Sequence, residues 1–368
     1  MAPLINLLPW KPGHSGFGSY VQRVVPGIDG LRLQLGRDGQ AVMLTPGQWS
    51  PEPPAWAPGV PMRFLQRYSL VQHGIRLSTL LQRNGIKLDQ LEAIYSPFFD
   101  ALLCWPEVPQ LITCHDLTPL VASNSSKAWL RYRLWQPLHC RVATRLIAIS
   151  RYVADQLVEF GVESDRIEVI PNGIKIHRPP VLAPFSHDLV ALARHDMNKN
   201  LPALFRGIDQ LQRQWPQWCG TLRIIGRGGR QTSLLQRLHK GLPRPKQVEL
   251  INALPQAELV ALVRTSMALL SASTEEGFDY PVLEAKAEGI PTLISDIPVH
   301  REFHSEGSLF FPVDDDGTVL ARHVIDLARD QTLWGQLSLR GLELARSLSV
   351  KRQVDAINAQ IRAVTRLC

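Results

Sequence analysis

Glu276-Gly277-Phe278-Asp279-Tyr280-Pro281-Val282-Leu283-Glu284 sets two carboxylates eight positions apart across a loop that contains glycine and proline. The stretch follows a short apolar run, Met267–Ser271, that reads as a strand, and it leads into a short helix ended by Gly289. Glu284 is therefore expected in the first turn of that helix and Glu276 in the loop before it. Ligands of open α/β sheets bind at the carboxyl ends of strands, which makes this loop a candidate site. Taken alone, the two carboxylates could be a paired acid and base or two holding groups.

The same alternation of strand and helix extends in both directions. Asp188–Ala193, Thr221–Ile225, Val248–Ile251 and Thr292–Ser295 read as further strands, with Gln256–Thr265 and Leu320–Leu327 as helices. Near the start, Leu4–Leu8 reads as a strand, Gly13-His14-Ser15-Gly16-Phe17-Gly18 as a loop, and a helix is expected from Ser19. Leu91–Tyr95, Gln110–Thr113, Arg145–Ile149 and Ile167–Ile170 are short apolar runs suited to a parallel sheet. A proline-rich stretch, Pro171-Asn172-Gly173 through Pro179-Pro180 to Pro184, interrupts the pattern where a linker would fall. The predicted fold is α/β, with two doubly wound sheets in series over residues 1–178 and 179–346. Leu333–Leu367 is helical in pattern with a break near Ser347-Leu348-Ser349, so 347–368 is expected to pack elsewhere.

Composition bounds the class. The 368 residues are 45% hydrophobic and 20% charged, ordinary for a folded chain of two domains. Cys104, Cys114, Cys140, Cys219 and Cys368 are odd in number and scattered, which disfavours a disulfide framework or a zinc site and suggests a reducing compartment. Met1–Trp10 has no basic lead-in, and its apolar run is short and broken by proline, unlike a secretory signal. No apolar stretch approaches the roughly 20 residues that span a bilayer. The expectation is a soluble or peripheral protein. The net charge is +7, of which +5 falls in residues 1–178. That bias suits an anionic membrane surface or a phosphate-bearing acceptor, and equally suits solubility; no nucleic-acid motif accompanies it.

Several clusters could carry chemistry. Arg194-His195-Asp196-Met197-Asn198-Lys199-Asn200 follows the strand Asp188–Ala193, and two cations five positions apart at a strand end can converge on a diphosphate. Gly226-Arg227-Gly228-Gly229 follows another strand, but position 231 is Gln and the dinucleotide fingerprint is incomplete. A tight turn at Gly226 that lets a nucleotide approach the backbone is the better reading. Arg131, Arg141 and Arg145 share about one face if residues 128–144 are helical, with Trp129, Tyr132 and Trp135 interleaved and a kink expected at Pro137. Such a surface could meet a membrane interface.

Together these features resemble the retaining glycosyltransferases of GT-B architecture, in the large family 4 (group 1). The resemblance is carried by Glu276 to Glu284, by Arg194 with Lys199-Asn200, and by Ile167-Glu168-Val169-Ile170-Pro171-Asn172-Gly173-Ile174. Ser150 in Ile147-Ala148-Ile149-Ser150-Arg151, His115-Asp116-Leu117-Thr118-Pro119-Leu120 and Gly16-Phe17-Gly18 add to it, so that it spans most of the chain.

The resemblance implies two Rossmann-like domains facing a central cleft. Residues 1–178 would bind the acceptor and 179–346 the nucleotide sugar, while 347–368 crosses back to the first domain. It implies that Glu284 accepts hydrogen bonds from the ribose hydroxyls and that Glu276 lies against the donor sugar. His115, Arg194 and Lys199 would complete the catalytic set. Donor-binding positions would be Gly16, Phe17, Gly18, Gly226, Phe278, Asp279, Tyr280, Pro281, Val282 and Leu283. It implies no cofactor and no metal, with a GDP-, UDP- or dTDP-hexose as donor and a glycan or lipid-linked acceptor. The His115-Asp116-Leu117 context inclines toward mannose or rhamnose, and the implied location is cytoplasmic or peripheral on the inner face of the membrane.

Two departures from the family pattern stand out. Asp279 occupies a position where glycine is usual, which is expected to place a negative side chain beside the sugar pocket. Ala193 stands where a glycine commonly precedes the arginine. Two rival readings are a binding protein that keeps the fold without catalysis, and another GT-B activity such as sugar-phosphate glycoside synthesis. Phosphorolysis would need a lysine for a pyridoxal cofactor, and no such site is recognisable.

Overall fold

A computed structural model of the chain describes residues 2–10, 16–36, 39–51, 57, 59–62, 70–121, 126–184 and 186–366. They form two units, one from Met1–Leu117, Lys127–Asn172 and Val350–Cys368, the other from Thr118–Ser126 and Gly173–Ser349. In chain order the first stretch contains β1 (Ala2–Leu7), α1 (Gly16–Val24), β2 (Leu31–Leu35), β3 (Gln40–Leu44), β4 (Gly59–Pro61), α2 (Leu70–Arg83), β5 (Leu91–Ser96) and β6 (Gln110–Cys114). Then come α3 (Thr118–Val121), α4 (Ser126–Leu134), α5 (Gln136–Val142), β7 (Arg145–Ala148), α6 (Arg151–Glu159) and β8 (Ile167–Val169).

The first sheet runs in the order β4-β3-β2-β1-β5-β6-β7-β8. Its strands are parallel from β2 to β8, but β3 is antiparallel to both its neighbours. The sequence reading expected a purely parallel sheet and did not find β2, β3 or β4. In β2 the reason is physical: Arg32 and Gln34 interrupt the apolar pattern, yet both are buried. The two terminal nitrogens of the Arg32 guanidinium are bonded inside the fold, donating to the carbonyls of Val25 (3.1 Å), Ile28 (2.6 Å) and Gly30.

Two helix expectations are corrected. Helix α1 begins at Gly16, not Ser19, so Gly16, Phe17 and Gly18 form its first turn; Gly13, His14 and Ser15 lie outside the described residues. Burial of Tyr20, Val21 and Val24 extends the helix over glycines that disfavour it. Residues 128–144 are not one helix. Pro137 has no N–H to give, α4 stops at Leu134, and α5 restarts with that proline in its first turn. Arg145 then opens β7 and donates to Gln360 Oε1 at 3.1 Å, so it does not share a helical face with Arg131 and Arg141.

The second stretch contains β9 (Leu189–Leu192), α7 (Leu201–Gln214), β10 (Leu222–Ile225), α8 (Thr232–Gly241), β11 (Val248–Ile251), α9 (Gln256–Thr265), β12 (Ala268–Ser271) and α10 (Tyr280–Ala287). It continues with β13 (Thr292–Ser295), α11 (Pro298–His304), β14 (Ser308–Phe311), α12 (Thr318–Arg329) and α13 (Gln331–Ser347); α14 (Val350–Thr365) belongs to the first unit. All six strands are parallel, in the order β11-β10-β9-β12-β13-β14. β14, whose Leu309 and Phe310 are only half-buried, was not expected from sequence. Helix α7 packs through Leu201, Leu204, Phe205, Ile208 and Leu211, the spacing of one helical face. In the first unit, Val354, Ile357, Ile361 and Val364 of α14 do the same in the cluster that holds Ile5, Tyr20 and Tyr95. Among the described residues no helix is long and apolar enough to cross a membrane.

Lys286 of α10 is fully buried, and its Nζ donates to the carbonyls of Glu306 (2.6 Å) and His304 (3.2 Å). Burial pushes its ammonium down to about 7 from 10.5, with a partial offset from Glu306. Between those values the unfolded chain binds more protons than the native one, so stability should rise with pH by up to about 1.4 kcal/mol per pH unit. Urea unfolding at pH 7 and pH 9.5 is expected to show that gain for the wild type relative to Lys286→Met. Parallel changes in the two proteins would show that the buried amine does not titrate in this window.

Candidate active site

The second sheet starts at β9, builds outward to β10 and β11, and then crosses back to place β12 on the other side of β9. Such a reversal opens a crevice at the carboxyl ends of the two central strands. The loop after β9 carries Arg194 and Lys199, and the loop after β12 carries Glu276 and Asp279. The fold therefore brings together groups separated by 77 positions.

The two loops are joined by hydrogen bonds to the main chain and side chain of Asn198. Thr274 N donates to Asn198 O at 2.8 Å, and Asn198 Nδ2 donates to Glu275 O at 3.2 Å. Asn200 holds a left-handed φ of 44° at the start of α7 and donates to Val313 O at 3.1 Å. These restraints place Lys199 Nζ on Glu276 Oε1 as a hydrogen-bonded ion pair. The same carboxylate oxygen accepts from Ser273 Oγ at 2.6 Å. With side chains 22% and 13% exposed, the pair is shielded enough to outrank an ordinary surface ion pair. Burial pushes the Glu276 carboxyl up, and the Asp279 charge adds to that against the pull of Lys199. Arg194 is exposed and its Nε lies 3.4 Å from Asp196 Oδ2.

Asp279 differs from expectation. Its carboxylate does not lie beside an open pocket but is buried, accepting from Ser271 Oγ at 2.6 Å and facing His300 Nε2 at 3.0 Å. Burial alone would raise this carboxyl, but the His300 hydrogen bond, the charges of Lys199 and His300, and Ser271 together hold it well below the usual carboxylate range. Asp279 also has φ of +62°, so the left-handed conformation of the usual glycine is kept by an aspartate. It is the residue before α10, which begins at Tyr280; Glu284 consequently lies in the second turn, not the first. The side chains of Phe278, Val282 and Leu283 are buried in the unit's interior, Tyr280 Oη donates to Gly173 O at 3.2 Å, and Pro281 occupies the first turn of α10. The buried side chains of Phe278, Val282 and Leu283 leave only their main-chain groups for a ligand.

Gly226 has an internal reason to be glycine. A Cβ there would lie 1.9 Å from Ala193 O, and one at Gly229 would lie 2.5 Å from His195 O, so this turn packs directly on the loop after β9. The sequence alone assigns no partner to Ser271, Ser273, Asn198 or His300. The alternating hydroxyls of Ser271-Ala272-Ser273-Thr274 at a strand end were a legible hint, whereas nothing local pairs His300 with Asp279, 21 positions away.

In the first unit, His115 follows β6 as expected. Its Nε2 lies 3.0 Å from Pro97 O, and its ring meets Tyr20 edge-on at 4.5 Å. Tyr20 Oη is 3.0 Å from Tyr95 Oη, which is 3.3 Å from Thr113 Oγ1. Ser150 caps α6, accepting from Val153 N at 3.0 Å. Among the described residues no group of three or more His, Cys, Asp or Glu is arranged to hold a metal ion. Desolvation lowers the His115 imidazolium to about 4, partly offset by the Pro97 carbonyl. Its ring signal in proton NMR is expected to titrate near pH 4; a midpoint near 6.5 would mean that the packed geometry is lost in solution.

Comparison with known proteins adds independent findings. The family model for Glycosyltransferase Family 4 matches residues 31–178, and that for Glycosyl transferases group 1 matches residues 186–330. The chain is 25% identical over 208 residues to the O-antigen chain mannosyltransferase RfbU of Salmonella typhimurium, an alignment covering 56% of this chain and 58% of that protein. The chain thus spans little more than half the length of that curated relative. Its fold is similar to an α,α-trehalose-phosphate synthase (UDP-forming) from Burkholderia vietnamiensis, with a TM-score of 0.71 and 13% identity over 100% of this chain and 99% of the other. Anabaena HepE, solved with UDP and glucose, gives a TM-score of 0.71 and 17% identity over 98% of this chain and 100% of the other.

Proposed function

The chain belongs to the family 4 (group 1) glycosyltransferases of GT-B architecture, and from that premise we propose that it is a retaining, metal-independent hexosyltransferase that uses a nucleotide sugar. The observation that carries this reading is the pairing of Lys199 with Glu276 in the crevice between β9 and β12. A donor diphosphate has two anionic groups, and Lys199 with the exposed Arg194 supplies the charge that would otherwise come from a metal ion. Glu284, on the second turn of α10, offers two acceptor oxygens to the ribose hydroxyls. Glu276 contacts the hexose, and the main-chain amides at the start of α10 favour nearby negative charge.

In this mechanism the acceptor hydroxyl attacks the anomeric carbon on the face from which the phosphate leaves. The new C–O bond forms as the C–O bond to phosphate breaks, and the hydroxyl proton passes to a phosphate oxygen. The protein supplies placement and charge stabilisation, with no strong base required. A neutral His115 is consistent with that role. Similarity to an O-antigen chain mannosyltransferase supports mannose as the hexose, as the His115-Asp116-Leu117 context does. No cofactor is invoked, and the donor is a substrate.

Glu284→Ala is expected to weaken nucleotide-sugar binding by about tenfold or more, the loss of charged hydrogen bonds. Lys199→Ala should lower kcat by about a hundredfold, while excess chelator leaves the wild-type rate unchanged. Unchanged affinity in calorimetry would remove the ribose role of Glu284, and an undiminished rate at saturating donor would remove Lys199 from leaving-group stabilisation.

The acceptor is read as a glycan or lipid-linked glycan, and α4 favours a contact with an anionic membrane on the inner face. Trp129, Leu130 and Leu134 on this helix are 43%, 51% and 57% exposed, with Arg133 exposed beside them. Apolar side chains interleaved with cations suit the headgroup boundary. The protein is expected to co-sediment with phosphatidylglycerol vesicles and to lose that binding in Trp129→Ser/Leu130→Ser. Absence of wild-type binding would eliminate the membrane contact and leave a soluble cytoplasmic enzyme.

A further inference from the structure

Helix α11 presents one face to residues 278 and 279. His300, Phe303 and His304 are spaced i, i+3 and i+4, which places them side by side on a helix. His300 Nε2 meets Asp279 Oδ2 at 3.0 Å, Phe303 packs against Phe278 with ring centroids 4.7 Å apart and planes tilted by 49°, and His304 Nε2 lies 3.3 Å from Phe278 O. The other nitrogen of His300, Nδ1, is 2.7 Å from Ser295 O. Both ring nitrogens thus face oxygen atoms, and the ring is held on two sides. The Asp279 and His300 side chains are 2% and 0% exposed.

Nothing in ordinary folding requires this arrangement. Glycine adopts the φ of +62° without strain, whereas a residue with a Cβ is disfavoured there. A buried pair of ionisable groups is weak support for stability because desolvation offsets its attraction. Strained backbone held by surrounding structure is characteristic of functional sites. Residue 279 also sits between the loop that carries Glu276 and the helix that carries Glu284, so its φ and ψ set how the two carboxylates are spaced.

We propose that the hydrogen-bonded Asp279–His300 pair, with the α11 face formed by Phe303 and His304, is a positioning clamp that fixes Glu276 relative to Glu284. The clamp thereby sets the donor's hexose relative to its ribose. This rests on reading the crevice as a nucleotide-sugar site. Asp279 and His300 are positioning residues, since their side chains are buried and act through the loop.

The test compares a sugar nucleotide with its nucleoside diphosphate on the same protein. UDP, GDP and dTDP, and UDP-glucose, GDP-mannose and dTDP-rhamnose, are titrated calorimetrically into the wild type, Asp279→Gly, Asp279→Asn and His300→Gln, with melting curves to verify folding. Glycine suits the backbone at 279, so that variant should fold. Asp279→Gly and His300→Gln should bind the preferred nucleotide sugar about tenfold more weakly, with affinity for the matching diphosphate within about threefold of wild type. Asp279→Asn, which can still exchange a hydrogen bond with His300, should recover most of the loss. Equal weakening of both ligands together with a lowered Tm would make the pair a purely structural support and overturn the clamp. Wild-type affinity for the nucleotide sugar in folded Asp279→Gly and His300→Gln would overturn it as well. A wild type that binds none of the six compounds would overturn the nucleotide-sugar reading itself and the clamp with it, an outcome distinct from the other two.

Discussion

The ion pair between Lys199 and Glu276 is the interaction on which the candidate site depends. It exists because a doubly wound sheet places its first and fourth strands next to one another and leaves the loops at their carboxyl ends on either side of a crevice. A cation and a carboxylate separated by 77 positions are thereby held in contact without either belonging to a local motif. The contact is enforced from below by Asn198, whose main chain and side chain bond both to Thr274 and to Glu275. On the proposed reading, a diphosphate entering this crevice would meet a lysine that is oriented beforehand, which spares the reorganisation a freely moving side chain would undergo.

Beneath the ion pair lies a layer of buried polar groups that would be destabilising if any member lacked its partner. Ser295 Oγ donates to Ser273 O at 2.6 Å, Ser271 and His300 hold Asp279, and Lys286 donates to the carbonyls of residues 304 and 306. The consequence is a loop whose main chain follows a glycine-like path although its sequence has aspartate. Aspartate there couples the loop to α11, a connection that glycine could not make.

Much of the second unit was legible in the sequence because its strands are short runs with an apolar centre, buried on both faces, as β9 and β13 show. Lys199, Glu276 and Glu284 were recognisable as a set through family resemblance, while their mutual placement follows from strand order, which no local pattern encodes. The antiparallel edge of the first sheet was hidden by Arg32 and Gln34, polar residues that are buried and donate to the carbonyls of Val25 and Ile28 and of Ser50 respectively. The inward turn of Asp279 was illegible for a similar reason: a charged residue in a loop reads as exposed unless its buried partner is known, and His300 lies on a different helix. In both cases the partners of a buried polar group decided the structure, and sequence periodicity carries no information about them.

Saturation-transfer NMR tests the central claim most directly, because it reports which parts of a bound ligand touch the protein. With the intact chain and a mixture of GDP-mannose, UDP-glucose and dTDP-rhamnose, one donor is expected to receive saturation strongly at both its ribose and its hexose protons, as Glu284 and Glu276 on either side of the Asp279 turn require. Absence of transfer to every nucleotide sugar, or transfer confined to the base with ribose and hexose silent, would contradict the account.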